Sequence, residues 1–231
     1  MIEANQLYKT YSIVEKELGL KGSIKAFFHP KKKQIHAVQN ISLTVQKGEI
    51  VGYIGSNGSG KSTTIKMLTG VLYPDRGSVK INGLTPQKHR TAVNKQIGVL
   101  FGQKSHLRWD IPVLESFILH AKIYDVPDKV FEERLEQLIE LLQLGDFIHQ
   151  PVRNLSLGQR VRCEFAAIFI HQPAVVFLDE PTIGLDASVK ETIRSFIRFM
   201  NKEYQTTFLI TSHDMQDIES LCKRIFIIDK G

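Results

Sequence analysis

The sequence predicts an α/β fold carrying a helical insertion, on three observations. The apolar run "EIVGYI" enters a glycine-rich loop, which leads into the helical stretch "TTIKMLTG". A second apolar run, "VVFL", ends in two adjacent acids, Asp179 and Glu180. Strand-like runs cluster toward the two ends of the chain, while the middle, about 104–172, reads as helical.

Taken in order, strands are expected near 2–8, 37–46, 49–54, 77–82, 97–101, 174–178, 206–210 and 224–229, where apolar runs are bounded by turn residues. Helices are expected at 61–70, 113–124, 130–143, 158–171, 187–203 and 214–222. The clearest is 130–143: Phe131, Leu135, Leu138 and Leu142 form one apolar stripe, Asp128 is expected to cap its start and Gly145 to end it.

Composition narrows the class. An apolar share of 42 % over 231 residues is ample for a core. Thirty basic against 24 acidic side chains leave a net charge of +6, which suits an anionic ligand or an anionic membrane surface. Cys163 and Cys222 have no metal-ligand spacing and read as buried thiols in a reducing compartment. No signal peptide is evident, and the longest apolar runs are too short to span a bilayer, so a membrane role is expected to come through a partner.

The chemistry concentrates in two motifs. "GSNGSGKST", Gly55 to Thr63, matches G-x-x-x-x-G-K-[ST] between a strand and a helix. There the backbone N–H groups of Gly55, Ser56, Asn57, Gly58, Ser59 and Gly60 can curl round a phosphate, and the following helix adds its positive end. Lys61 supplies a charge to the β- and γ-phosphates, Ser62 a hydroxyl to Mg²⁺, and Thr63 a further phosphate contact. In "VVFLDEPT", Asp179 suits a Mg²⁺ partner, and Glu180 is placed to orient and deprotonate an attacking water.

With these residues in hand, the chain resembles the nucleotide-binding subunit of ATP-binding cassette (ABC) transporters over nearly its whole length. The resemblance implies a P-loop NTPase with a RecA-like core, an N-terminal antiparallel β-subdomain and a helical subdomain at about 104–172, together one nucleotide-binding domain over 1–231. It implies ATP and Mg²⁺ as ligands. Tyr11 in "YKTYS" would stack on adenine, Gln103 in "FGQKS" would reach Mg²⁺ and the lytic water, and His213 in "TSHDM" would sit near the γ-phosphate. Asp186 closes the D-loop "IGLD". In "LSLGQR", Ser156, Gly158 and Gln159 would grip a nucleotide held by a second cassette, because a helix N-terminus aims its positive end at an anion. Leu157 stands where this family usually has glycine, and Ser56 where proline is common.

Between Tyr11 and the second strand lies an insertion, about 12–36. From Lys21 to His36 it holds five lysines, two histidines and no acid. Leu20, Ile24, Phe27 and Phe28 fit one face of a short basic helix that Pro30 would end, suited to a membrane surface or a permease. This insertion and the stretches "FGQKSHLRWDIPVLESF" and "LDEPTIGLD" look closest to bacterial export cassettes. The resemblance then implies integral-membrane permease subunits and a second cassette as partners, no nucleic acid, and a peripheral place on the cytoplasmic face of the membrane. The segment around 104–120 would dock the permeases, with Leu107 and Trp109 either anchors or core. An importer cassette, or a non-transport ABC ATPase of DNA maintenance or translation, are the rival readings. Only 51 residues lie between Gln103 and Leu155, too few for an inserted long coiled coil, and one cassette rather than two is present. The chain stops at "IDKG", where a turn to another strand is expected.

Overall fold

The computed structural model describes residues 1–14, 32–102 and 105–229. An antiparallel sheet joins β1 (Ile2–Val14), β2 (Lys32–Val45) and β4 (Arg76–Ile81) in the order β2-β1-β4. A parallel sheet takes β3 (Ile50–Gly55), β5 (Ile97–Phe101), β6 (Val175–Asp179), β7 (Thr207–Thr211) and β8 (Arg224–Ile228) in the order β5-β6-β7-β3-β8. Helix α1 (Lys61–Leu68) lies between the two sheets, and α2 (Arg90–Asn94) is a single turn that the apolar pattern does not announce. Beyond β5 come α3 (Val113–Ile123), α4 (Asp128–Leu142), a 3₁₀ turn at Val152–Asn154 and α5 (Leu157–Phe169). The carboxyl-terminal part adds α6 (Ala187–Tyr204) and α7 (Met215–Leu221).

Strand β6 shows why "VVFL" reads as a continuous apolar run. All four residues are fully buried, and period-two alternation sends them to different cores. Val176 and Leu178 pack with α3–α6, whereas Val175 and Phe177 pack with α1 and the antiparallel sheet. Burying each such side chain is worth about 1.5–3 kcal/mol, so this one strand pins both layers.

All eight expected strands form, but β1 and β2 run into the supposed insertion. Tyr11 pairs with Ile35, Ser12 with Gln34, Ile13 with Lys33 and Val14 with Lys32. A two-stranded ladder can extend wherever alternating residues continue, and the polar members Ser12, Gln34 and Lys33 hid it from an apolar-run reading. The proposed basic helix around Leu20–Phe28 falls outside the described residues. Helix α4 also differs from expectation at both ends. Pro127 takes the N-cap position and Asp128 is the first helical residue. Gln143, not Gly145, takes the left-handed conformation (φ 52°) that ends the helix, and the next residue, Leu144, donates its N–H to Ile139 O and is completely buried. Burial of the apolar residue after the turn fixes the stop there.

Where α3 and α5 meet β5, three histidines and a tyrosine form a row, stacked except at His106, which meets His120 edge-on. Tyr124 lies 3.9 Å from His171, nearly parallel, with His120 on its other side and His106 beyond. His171 Nε2 is 3.0 Å from Ile97 O, and its Nδ1 is buried without a partner among the described residues. Burial pushes His171 down to about 4, helped by the nearby His120, Arg134 and His106, although the Ile97 carbonyl opposes the shift. Burial lowers His120 as well. The unfolded chain therefore binds protons that the folded chain refuses: stability is complete above about 6.5 and falls as pH drops toward 4. For His171 the loss approaches about 3 kcal/mol at the acid end of that window. Urea midpoints measured from pH 7 to 4.5 should fall more steeply for the wild type than for His171→Phe; parallel curves would refute this assignment.

Candidate functional site

Strands β3, β7 and β6 are neighbours, so the loops at their carboxyl ends converge, the usual ligand-binding edge of a parallel sheet. From β3 comes the loop Gly55–Gly60. Two glycines are obligatory by space. A methyl group on Gly55 would stand 2.4 Å from Ile228 O, and on Gly60 (φ 100°) 2.3 Å from Ala37 O. Ala37 is the extra residue of a register slip in β2, where Lys9 faces Val38 but Thr10 faces His36. The bulge thus presses the antiparallel sheet onto the loop. Helix α1 begins at Lys61 with no side-chain cap. Lys61 is buried, and its Nζ donates to Gly55 O (2.7 Å) and Ser56 O (3.0 Å), both neutral carbonyls. Ala37, Asn57, Gly58, Gly60, Lys61, Ser62, Thr63 and Glu180 line the cleft above it. An uncapped helix start beside a lysine whose described partners carry no charge fits an anion.

From β6 come the two acids. Asp179 accepts hydrogen bonds from Ser62 Oγ (2.9 Å) and Thr211 Oγ1 (2.7 Å). Among the described residues no three His, Cys, Asp or Glu side chains gather to hold a metal by themselves. The hydroxyl of Ser62 and the carboxylate of Asp179 offer two hard oxygen ligands, which fits Mg²⁺, an ion that keeps waters and shares phosphate oxygens. Glu180 adopts a left-handed backbone (φ 54°), a conformation of the kind found at active sites. Its N–H is held by Thr211 O and Oγ1, each at 3.1 Å. From β7 comes His213, whose Nε2 lies 2.8 Å from Glu180 Oε1. Next to it, the hydrogen bond from Lys190 holds the Asp214 carboxyl below the usual range.

The "LSLGQR" residues divide: Leu157 and Arg160 line a neighbouring cleft with Asp179 and Glu180, whereas Ser156, Gly158 and Gln159 do not. Ser156 is the N-cap of α5 in a capping box: its Oγ accepts from Gln159 N (3.2 Å), and Gln159 Oε1 accepts from Ser156 N (2.9 Å). Neither they nor Gly158 line the cleft around Lys61. Gly158 packs on Val189, and exposed Leu157 lies against Gly184 of the D-loop. Asp186 is bound to its own chain, its Oδ1 capping α6 at Val189 N (2.9 Å). Tyr11 is partly exposed on β1 opposite Ile35. Gln103 falls outside the described residues. Leu107 is 6 % exposed and belongs to the core, whereas Trp109 is 53 % exposed, with Arg160 over its ring at 5.8 Å.

Sequence reasoning missed Thr211, which holds both Asp179 and the backbone of Glu180, and Glu164, which accepts from Ser105 Oγ and from His106 N (2.8 Å). The signal for Glu164 was available: it is a lone acid leading directly into the buried run "FAAIFI".

Comparison with known proteins identifies the family. The family described as "ABC transporter" matches residues 38–183. The ABC transporter ATP-binding protein NatA of Bacillus subtilis is 34 % identical over 204 residues, 88 % of this chain and 82 % of NatA. The methionine import ATP-binding protein MetN 2 of Enterococcus faecalis is 32 % identical over 212 residues, 90 % of this chain but 61 % of MetN 2. The dimeric post-hydrolysis structure of the cassette MJ0796 bound to ADP and Pi shares the fold, with a TM-score of 0.82 and 23 % identity over all of this chain and 95 % of that one. The chain belongs to the ABC transporter family, as an ATP-hydrolysing cassette that binds ATP with Mg²⁺.

Proposed function

We propose that two copies of this chain, or this chain and a close relative, close head to tail on two Mg-ATP molecules and drive membrane permeases that export a substrate. The observation that carries this reading is the split arrangement itself. One cleft gathers the loop, Ser62, Asp179, Glu180 and His213, while Ser156, at an exposed helix start, does not line the cleft around Lys61.

In that dimer Lys61 and the N–H groups of 58–63 hold the phosphates, and Tyr11 stacks on adenine. Ser62, Asp179 and Gln103 hold Mg²⁺, which when bound supplies charge neutralisation to the phosphates. Glu180 takes the proton of the attacking water, and His213, at 2.8 Å, orients it. Ser156, Gly158 and Gln159 close on the partner's γ-phosphate. ATP favours the closed dimer over its products, and that difference in binding moves the permeases.

Export rests on the likeness of this chain's insertion and loop sequences to export cassettes; the name of MetN 2 keeps import as the second reading. Trp109, exposed after the 103–104 segment and tied to the signature helix through Arg160, is the proposed permease anchor. In cells producing it, Trp109→Glu should leave the membrane fraction while the purified protein binds ATP normally, and the cargo should accumulate inside. Retention on the membrane would refute the anchor, and accumulation of cargo outside would favour import.

A further inference from the structure

The water base and the switch histidine are both accessible. Side-chain exposure is 29 % for Glu180 and 45 % for His213. An exposed pair of this kind holds itself together weakly. Each residue also belongs to a loop, one leaving β6 and one leaving β7. Something behind them has to fix their spacing.

Behind them lies a carboxylate with no assigned role. Asp217, on α7, is 1 % exposed. Its Oδ2 accepts from Thr182 Oγ1, two residues after Glu180, and lies 3.5 Å from Ser212 Oγ, one residue before His213. Its Oδ1 accepts from Arg194 Nε at 2.7 Å, and the guanidinium Nη2 stands 2.6 Å from the same oxygen. Arg194 comes from α6. One turn earlier on that helix, Lys190 donates to Asp214 Oδ2 at 2.5 Å, one residue after His213. The same helix is capped by Asp186, the last residue of the Glu180 loop. Both catalytic loops are therefore strapped at two points each to the α6–α7 pair: the first at Thr182 and Asp186, the second at Ser212 and Asp214.

We infer that Asp217, with Thr182 and Arg194, is a positioning device that sets the Glu180–His213 spacing. None of the three touches the cleft around Lys61. They act through the loops. A buried ion pair need add little stability, but its fixed geometry can define one arrangement among several. The Thr182 hydroxyl carries that geometry to Glu180, because the segment between them is only one residue, Pro181, whose φ is locked by its ring.

This rests on Glu180 being the water base, and the experiment separates the two claims. Thr182→Val keeps the side-chain shape and leaves Asp217 paired with Arg194, so the protein should fold. Displacement of a reacting group by about 1 Å costs on the order of 100-fold, and a loosened loop should cost about 10- to 100-fold in kcat. KM for ATP should stay unchanged, and Thr182→Ser should restore the rate. In a Glu180→Gln background the residual rate no longer uses the base, so adding Thr182→Val should change it less than about twofold. An unchanged kcat in Thr182→Val, an equal drop in both backgrounds, or a rise in KM alone would overturn the inference. If Glu180→Gln itself kept its rate, the assignment of the base would fall instead.

Discussion

Glu180→Gln should bind Mg-ATP like the wild type and hydrolyse it at least about 100-fold more slowly, since general-base catalysis commonly contributes about 10²- to 10⁴-fold. Glutamine has the size of glutamate and can still hydrogen-bond His213, now 2.8 Å from Glu180 Oε1, but it cannot accept a proton from water. The lesion should therefore fall on the chemical step and spare binding. On the proposed cycle, in which bound ATP closes the dimer and hydrolysis releases it, the variant should also accumulate as an ATP-loaded dimer. Size-exclusion chromatography with and without Mg-ATP reads this directly. Normal steady-state turnover would remove Glu180 from the role of base; slow turnover without a dimer would leave the base and remove the proposed coupling to closure.

The parts of this site that were legible in the sequence are those whose chemistry demands contiguous residues. The loop Gly55–Thr63 is one such part, because glycine at Gly55 and Gly60 is enforced by carbonyls 2.4 and 2.3 Å from where a Cβ would be. Strand β6 is another, since burial on both faces forces an unbroken apolar run before Asp179. The parts that were not legible depend on residues far apart in the chain. Thr211 reaches Asp179 across 32 positions, and Asp217 reaches Thr182 across 35. Neither spacing has a local signature, because the parallel order β6-β7 brings them together only after the strands have paired. The ends of α4 were misplaced for a different reason. Glycine is favoured for a left-handed helix stop, but burial of Leu144 was enough to put Gln143 there. The long β1–β2 ladder was missed because Ser12, Lys33 and Gln34 are polar and Ile13 and Ile35 exposed, and backbone pairing rather than burial extends it.

Ser156→Arg should abolish ATPase activity of the assembled dimer while its monomer still binds ATP. Ser156 is exposed at the start of α5 and does not line the cleft around Lys61, so an arginine there should spare nucleotide binding by the same chain. In a head-to-tail dimer it would fill the space into which the partner's γ-phosphate must fit. Lys61→Ala should be inactive for the opposite reason, losing the buried cation over its own loop. Mixing the two inactive proteins tests the split site. Each heterodimer pairs an intact Lys61 with an intact Ser156 across one of its two sites and places both lesions in the other. Random pairing of equal amounts makes about half the dimers mixed, so up to about a quarter of wild-type activity should return if the sites work independently. Loss of the helix cap alone costs about 1 kcal/mol, which Ser156→Asp separates from the effect on the partner. Aspartate caps Gln159 N as serine does, yet sets a negative charge against a phosphate. It should retain the wild-type melting temperature and still fail to dimerise on ATP. The assignment across the dimer would be abandoned if Ser156→Arg, correctly folded, lost ATP binding as a monomer, or if the mixture with Lys61→Ala formed heterodimers that stayed inactive.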